Sequence, residues 1–419
     1  MSHKDLTIVL ANLASALPEL ETVYKDIHSH PELSMQENRT AGIAAGHLKA
    51  AGFEVTTGVG KTGVVGILRN GDGPTVMLRA DMDALPIKEA TGLPYASTVT
   101  GTDPSGKSVP VAHSCGHDMH VACLIGATAL FAKSRDSWRG TLMAVFQPGE
   151  ETAQGAKAMV DDGLVQRFPK PDVVLGQHVM NLPSGNIDWR AGVVTSSADS
   201  FEIRMFGRGA HGSMPESSID PVVMAASTVL RLQTIVSREV APTDSAVVTV
   251  GSLQAGTKEN VIPGEAIIKL NVRTFDESVR KRVLAAITRI VNAEAAASGA
   301  PKPPEIKPLD QYSLVRNDAG ATKKVVDAFL SNFASGAIEQ TKPTMASEDF
   351  GCFGTAWAVP AVYWFFGGDD PAVYAKAKKE GTLSSLPSNH NPGFAPVIHP
   401  TMETGVKALV VAAHAWLGA

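Results

Sequence analysis

Apolar runs in this chain end repeatedly on acids, imidazoles or a thiol. TVMLRA (75–80) runs into Asp81-Met82-Asp83, TLMAVF (141–146) into Gln-Pro-Gly-Glu-Glu (147–151), and DVVL (172–175) into Gly-Gln-His (176–178). Two further clusters, AHSCGHDMH (112–120) and NHNP (389–392), complete the set. Short apolar runs separated by helical periodicity predict an α/β sheet. In such a sheet the loops at the carboxyl ends of the strands line one crevice, where ligands bind. Groups far apart in sequence are therefore expected in one pocket. Cys, His and Glu are the ligand types of a transition metal, and the chain reads as a metal-dependent hydrolase.

At 419 residues two domains are expected. Apolar runs at 63–68, 74–80, 141–146, 172–176 and 361–366 predict strands, and 5–29, 35–51, 118–133 and 321–334 predict helices. A Gly-Asp-Gly turn at 71–73 predicts a hairpin between the first two strands, hence a mixed sheet. From residue 192 the pattern changes. Strand 200–206, helix 219–238, strands 245–253 and 264–274, helix 276–298 and a strand near 303–310 follow in the order β-α-β-β-α-β. That order is ferredoxin-like. The expected fold is a mixed-sheet α/β domain (1–191 and 313–419) with an inserted ferredoxin-like α+β domain (192–312).

A net charge of −5 with no basic run argues against nucleic acid, and no apolar stretch is long enough to span a membrane. The segment LTIVLANLASAL (6–17) has the apolar core of a signal peptide, but Lys4 is followed at once by Asp5. Leu6, Val9, Leu10, Leu13, Leu17 and Leu20 instead mark one face of an amphipathic helix. Three cysteines, Cys115, Cys123 and Cys352, are a poor disulfide framework and suit a reducing, cytoplasmic setting.

Cys115 and His117 stand at i and i+2, a spacing that points both side chains the same way in an extended turn. Glu150 and Glu151 are adjacent, so their side chains diverge: one binds metal, the other takes a proton from water. His178, after the run 172–175, and His390 are ambiguous alone. Asp83 is expected behind an imidazole, Asp81 is open, and Asp118 is either a helix cap or a second acceptor behind the ligands. His28, His30, His47, His399 and His414 lack supporting context. His211 lies in the glycine-flanked loop FGRGAHGSMPE (206–216).

HSHPELSMQE (28–37), ADMDALPI (80–87), HSCGHDMH, QPGEE, GRGAHGSMPE, SEDFG (347–351) and NHNPGF (389–394) occur in that order. Together they resemble the aminoacylase and carboxypeptidase-type dinuclear metallohydrolases, in the branch of hippurate and indoleacetyl-amino-acid hydrolases. The resemblance implies two divalent metals per subunit (Mn, Zn, Co or Ni), held by Cys115, His117, Glu151, His178 and His390, with Glu150 as general base. It implies that His211 stabilises the oxyanion in the partner subunit's site, and that Asn260 and Arg273 bind substrate. It implies a homodimer, or a tetramer of such dimers, built through the inserted domain. The implied reaction is hydrolysis of the amide of an N-acyl amino acid. The alternatives within the family are a dipeptidase or carboxypeptidase and an N-acetyl-diaminopimelate deacetylase. Outside it stand a cysteine hydrolase using Cys115 and a non-catalytic metal-binding homologue. One departure matters: where aminopeptidase-like relatives carry His-x-Asp, this chain has Asp81-Met82-Asp83.

Overall fold

Thr75–Asp81 lies inside an eight-stranded mixed sheet. The order across it is Glu54–Val59, Gly63–Asn70, Gly140–Gln147, Thr75–Asp81, Val173–Pro183, Ala361–Asp369, Ile187–Trp189 and Ile338–Gln340. The middle four of these, from Gly140–Gln147 to Ala361–Asp369, run parallel. Three of them are buried almost throughout and Val173–Pro183 over its first five residues, as parallel strands covered on both faces must be. Their carboxyl ends therefore face one side of the sheet, and three of the five clusters fall on those strands or just beyond them. The computed structural model describes residues 3–418.

The hairpin expected across 71–73 does not form. Gly140–Gln147 lies between its two strands, antiparallel to Gly63–Asn70 and parallel to Thr75–Asp81. Periodicity marks a strand but not its partner, and the turn signal outweighed the apolar composition that calls for parallel neighbours. The sheet is mixed for another reason: a hairpin one step earlier, Glu54–Val59 with Gly63–Asn70, supplies the antiparallel edge. The single helix expected over 5–29 is two, His3–Leu10 and Leu13–Ser29, joined by a turn at Ala11 and Asn12. Leu6, Val9 and Leu20 of its stripe are buried nonetheless.

The chain divides into two units. The sheet belongs to Met1–Val194, Arg316–Lys342 and Asp349–Ala419; the second unit is Thr195–Val315 with Pro343–Glu348. In the first, helix His117–Lys133 is buried on nearly every side and packs against Leu13–Ser29 and Ile398–Leu417. In the second, four antiparallel strands lie in the order Ala246–Ala255, Glu265–Thr274, Ser197–Phe206, Glu305–Tyr312. In chain order that is 2-3-1-4, the ferredoxin-like arrangement. Helices Pro221–Thr234 and Glu277–Ala297 close its core with Met224, Val283 and Ile287 against Ile203 and Ile268. Asp220 and Asp276 cap the two helices by accepting backbone N–H bonds. The return segment 343–348 is tied in by the Ser196 N–H, which donates to the carbonyls of Thr344 and Ala346. Nothing in the sequence pattern signals that return. Among the described residues no helix is long and apolar enough to cross a membrane.

Candidate active site

The parallel strands bring Asp81, Asp83, Glu150, Glu151 and His178 together, and two loops add Cys115, His117 and His390. Glycine makes the loops possible. Gly116 sits at φ +83, where a Cβ would stand 2.4 Å from Val179 Cγ1. Gly149 sits at φ +55, where a Cβ would stand 2.5 Å from Met35 Sδ. Both conformations belong to glycine, and each places an adjacent cluster: Cys115 and His117 around the first, Glu150 and Glu151 after the second.

His117 begins helix His117–Lys133 and is fully buried. Its Nδ1 lies 3.2 Å from Asp83 Oδ1. Its Nε2 has no hydrogen-bond partner and lies 3.9 Å from both Glu150 Oε2 and Glu151 Oε1. Glu151 Oε1 is likewise buried and unpartnered, while Oε2 stands 3.2 Å from His390 Nε2. Cys115 Sγ is 3.5 Å from His178 Nε2, and His178 Nδ1 bonds the Val179 carbonyl at 2.8 Å. That bond puts the proton on Nδ1 and leaves the Nε2 lone pair turned to the thiol. Five groups of ligand atoms lie within 4.8 Å of one another among the described residues, including Cys115, His117 and His178; Cys115, Glu151 and His390; His117, Glu150 and Glu151; and Asp81, His117 and His120.

The electrostatics fit a cation at this point. Burial and the nearby Glu151, Glu150 and Asp81 carboxylates push the Cys115 thiol well above its ordinary range. Burial and His120 push His178 well below its ordinary value, so it is a neutral donor. Burial alone would depress His117, but Asp81, Asp83 and Glu151 outweigh it and raise it to about 10. A proton there stands where a positive charge is called for. Unpartnered His117 Nε2 and Glu151 Oε1, with His178 Nε2 beside the Cys115 thiol, offer the donor types of a divalent transition metal, and the residues present fit such a group.

Asp83 lies behind His117 and Glu151. Its Oδ2 accepts from Ser34 Oγ at 2.6 Å and from the Glu151 N–H at 3.0 Å. Asp118 does not cap its helix, whose N-cap is Gly116. Its Oδ2 holds His28 Nδ1 at 2.6 Å, and its Oδ1 accepts the Met119 N–H. His178 does not follow its strand; it lies inside Val173–Pro183, opposite Phe365. The strand runs on past the apolar stretch because Ala361–Asp369 pairs with it to the end.

Several residues here are ones the sequence reading passed over or left open. Asp81 is held by Arg79 Nη1 at 2.7 Å and by His120 Nδ1 at 2.6 Å. His120 Nε2 accepts the Val179 N–H, and its ring packs edge-on against His178 with centroids 4.5 Å apart. A charged Arg79 inside an apolar strand was the available signal. Glu37 accepts from the Gly149 N–H at 2.8 Å and from Thr62 Oγ1, bracing the turn that carries Glu150 and Glu151. His28, set aside for lack of context, is buried between Asp118 and Glu89, with Nε2 3.0 Å from Glu89 Oε1.

In the second unit, His211 is exposed and pairs with Val261 across a two-residue ladder. Its Nδ1 accepts from the Ser213 N–H at 3.1 Å. The proton is therefore on Nε2, which is a donor. The Asn260 carbonyl accepts the Gly212 N–H at 2.8 Å, so Asn260 adjoins the same loop. Arg273 is engaged within its own unit: Nε donates to Asn271 Oδ1, and Nη1 donates to the Met345 carbonyl and to Ser347 Oγ. Only Nη2 is left for a carboxylate, not a two-nitrogen fork.

Residues 77–386 match the model of peptidase family M20/M25/M40. The chain belongs to this family. It is 39% identical to a hippurate hydrolase of Campylobacter jejuni, over 80% of this chain and 85% of that one. It is 35% identical to an N-acetyl-L-cysteine deacetylase of Bacillus subtilis, over 85% of this chain and 82% of that one. The fold is similar to a crystal structure of a dinuclear metal-binding M20 peptidase from Bacillus subtilis, with a TM-score of 0.73 and 29% identity over 96% of this chain and 98% of that one. This M20 chain is an enzyme acting on amides.

Proposed function

We propose that the protein hydrolyses the amide bond of N-acyl amino acids, releasing a carboxylic acid and a free amino acid. One observation carries the reading: His117 Nε2 and Glu151 Oε1, both buried and unpartnered, converge with Cys115, His178 and His390 beside a second carboxylate, Glu150. Cys115, His117, Glu151, His178 and His390 would hold two divalent ions. Bound there, a metal supplies Lewis acidity and lowers the pKa of a water from about 15.7 towards about 7. Every other task falls to side chains. Glu150 takes the proton of the attacking water and returns it to the leaving amine. Asp83 fixes the His117 ring and the Glu151 backbone, so neither must reorganise during the reaction. His211 donates from Nε2 to the oxyanion, and Arg273 Nη2 and Asn260 bind the substrate's carboxylate or carbonyl.

A cysteine hydrolase needs a depressed thiol pKa. Burial and three carboxylates do the opposite to Cys115, which favours a ligand over a nucleophile.

We further propose a cytoplasmic homodimer built through the ferredoxin-like unit. Its edge strand Ala246–Ala255 exposes Val247 and Leu253, and helix Pro221–Thr234 exposes Val222, Val223 and Leu230. An open edge beside an apolar helix face suits a twofold mate. The test of substrate class is a panel of N-acetyl, N-benzoyl and N-indoleacetyl amino acids against dipeptides on metal-reconstituted protein. Faster turnover of dipeptides than of every N-acyl amino acid would overturn the substrate assignment.

A further inference from the structure

Three of the five proposed ligands sit on segments far apart in the chain, and one amide joins all three. Asn389 Nδ2 donates to the Cys115 carbonyl at 3.1 Å and to the Val179 carbonyl at 3.1 Å, with Cys115 Sγ 3.8 Å away. The amide cannot be turned over: Oδ1 would then face two carbonyl oxygens. Two N–H groups serve three acceptors, so one is shared between the Cys115 carbonyl and its sulfur.

Each link bears on a ligand. The Val179 carbonyl also takes the His178 Nδ1 proton at 2.8 Å, so Asn389 fixes the oxygen that sets the His178 tautomer and ring direction. The bond to the Cys115 carbonyl holds the loop beside Gly116, and the same amide lies 3.8 Å from the sulfur. The third link is covalent. His390, the next residue, holds φ +70, outside the usual range for a side chain of its size. Such a conformation persists only where its surroundings fix it. Here the His390 N–H donates to the Ser114 carbonyl at 2.7 Å, and Asn389 is anchored immediately before it.

We infer that Asn389 is a positioning residue for the metal centre, a single amide that sets the relative placement of Cys115, His178 and His390. The inference rests on the reading of those three as metal ligands. Partners that orient ligands typically change metal affinity about 10–100-fold when lost.

Metal affinity, not turnover, is the readout. Apo-protein of wild type, Asn389→Ala and the same-shaped Asn389→Asp is titrated with Co(II), following the dissociation constant and the thiolate-to-cobalt absorption band. Melting of each apo-protein is measured alongside. The expected result is binding weakened about 10–100-fold in both variants, with a shifted thiolate band and a folded apo-protein. Asn389→Asp also covers the case in which Asn389→Ala does not fold. Wild-type affinity and an unshifted band in a folded variant, even one with a lowered apo melting temperature, would show a packing role only and overturn the inference. Wild type that binds no Co(II) would overturn the ligand reading itself, and the inference with it.

Discussion

Glu151 Oε2 stands 3.2 Å from His390 Nε2, while its other oxygen is buried, unpartnered and 3.9 Å from His117 Nε2. One carboxylate thus faces two imidazoles from opposite ends of the chain. Glu150, its neighbour, lies 3.9 Å from His117 Nε2. The adjacent side chains, on a 3₁₀ turn after a buried strand, do not diverge as their adjacency predicts: both reach His117 Nε2, and Glu151 also reaches His390.

Glu150→Gln is expected to keep its metal and its fold and to lose kcat by about 10²–10⁴-fold, the usual worth of a general base. Glu151→Gln is expected to lose metal. Metal content per chain and kcat for the two variants decide the matter, and equal metal loss in both would remove the division of labour.

Asp81 occupies the place where aminopeptidase-like relatives have a ligand His, yet both its oxygens are taken by Arg79 and His120. Asp81→Asn removes one of the two buried carboxylates that pair with Arg79, Asp349 being the other. Removing one partner of a buried pair costs about 3–5 kcal/mol when the remaining charge is left alone, so with Asp349 still in place the cost should fall below that. The expected outcome is that smaller loss in denaturant unfolding with unchanged metal stoichiometry. Loss of one metal equivalent with little change in stability would instead make Asp81 a ligand.

His28 carries a pH signature. Burial lowers its pKa, but bonds to Asp118 and Glu89 outweigh that and raise it from 6.5 to about 10. A raised folded-state pKa contributes stability fully below the unfolded value, and that contribution is lost as pH rises through the folded value. His28→Gln should therefore be less stable than wild type by about 3–5 kcal/mol near pH 6, and the difference should shrink between pH 6.5 and about 10. Urea unfolding of both proteins across that range is the check. A difference that stays constant would mean that His28 is not charged in the folded protein.

Subunit exchange tests the shared site. Mixing inactive His211→Ala with inactive Glu150→Gln should restore activity towards half of wild type per mixed dimer, because one site of each then has both residues native. No recovery despite confirmed exchange would place His211 in its own chain's site, and a monomer in solution would remove the dimer.

Much of this was legible in the sequence because the chemistry sits where periodicity is clear. The apolar runs before Asp81, Glu150 and His178 marked buried strands, and a buried strand aims whatever follows it at one end of the sheet. The β-α-β-β-α-β order was readable because two long amphipathic helices separate the apolar strands, of which Glu265–Thr274 alternates cleanly. Strand neighbours were not readable: Gly140–Gln147 separates two strands that a Gly-Asp-Gly turn seemed to join. Partners supplied by long-range hydrogen bonds were equally hidden. Neither the spacing of Asp81 and His120 nor that of His28 and Asp118 shows that they meet, since only packing of helix His117–Lys133 against its neighbours brings them together. Asn389 reads as part of a loop because its two nearest acceptors are backbone carbonyls, which carry no sequence signal.

Metal-dependent turnover of an N-acyl amino acid is the most direct single measurement. Hydrolysis of N-benzoylglycine is followed for protein stripped by chelator, then for the same protein reloaded with Mn, Co, Ni or Zn. The expected result is no turnover when stripped and recovery on reloading with at least one of these ions. Full turnover by demetallated protein, abolished by thiol alkylation alone, would contradict it and make Cys115 the nucleophile.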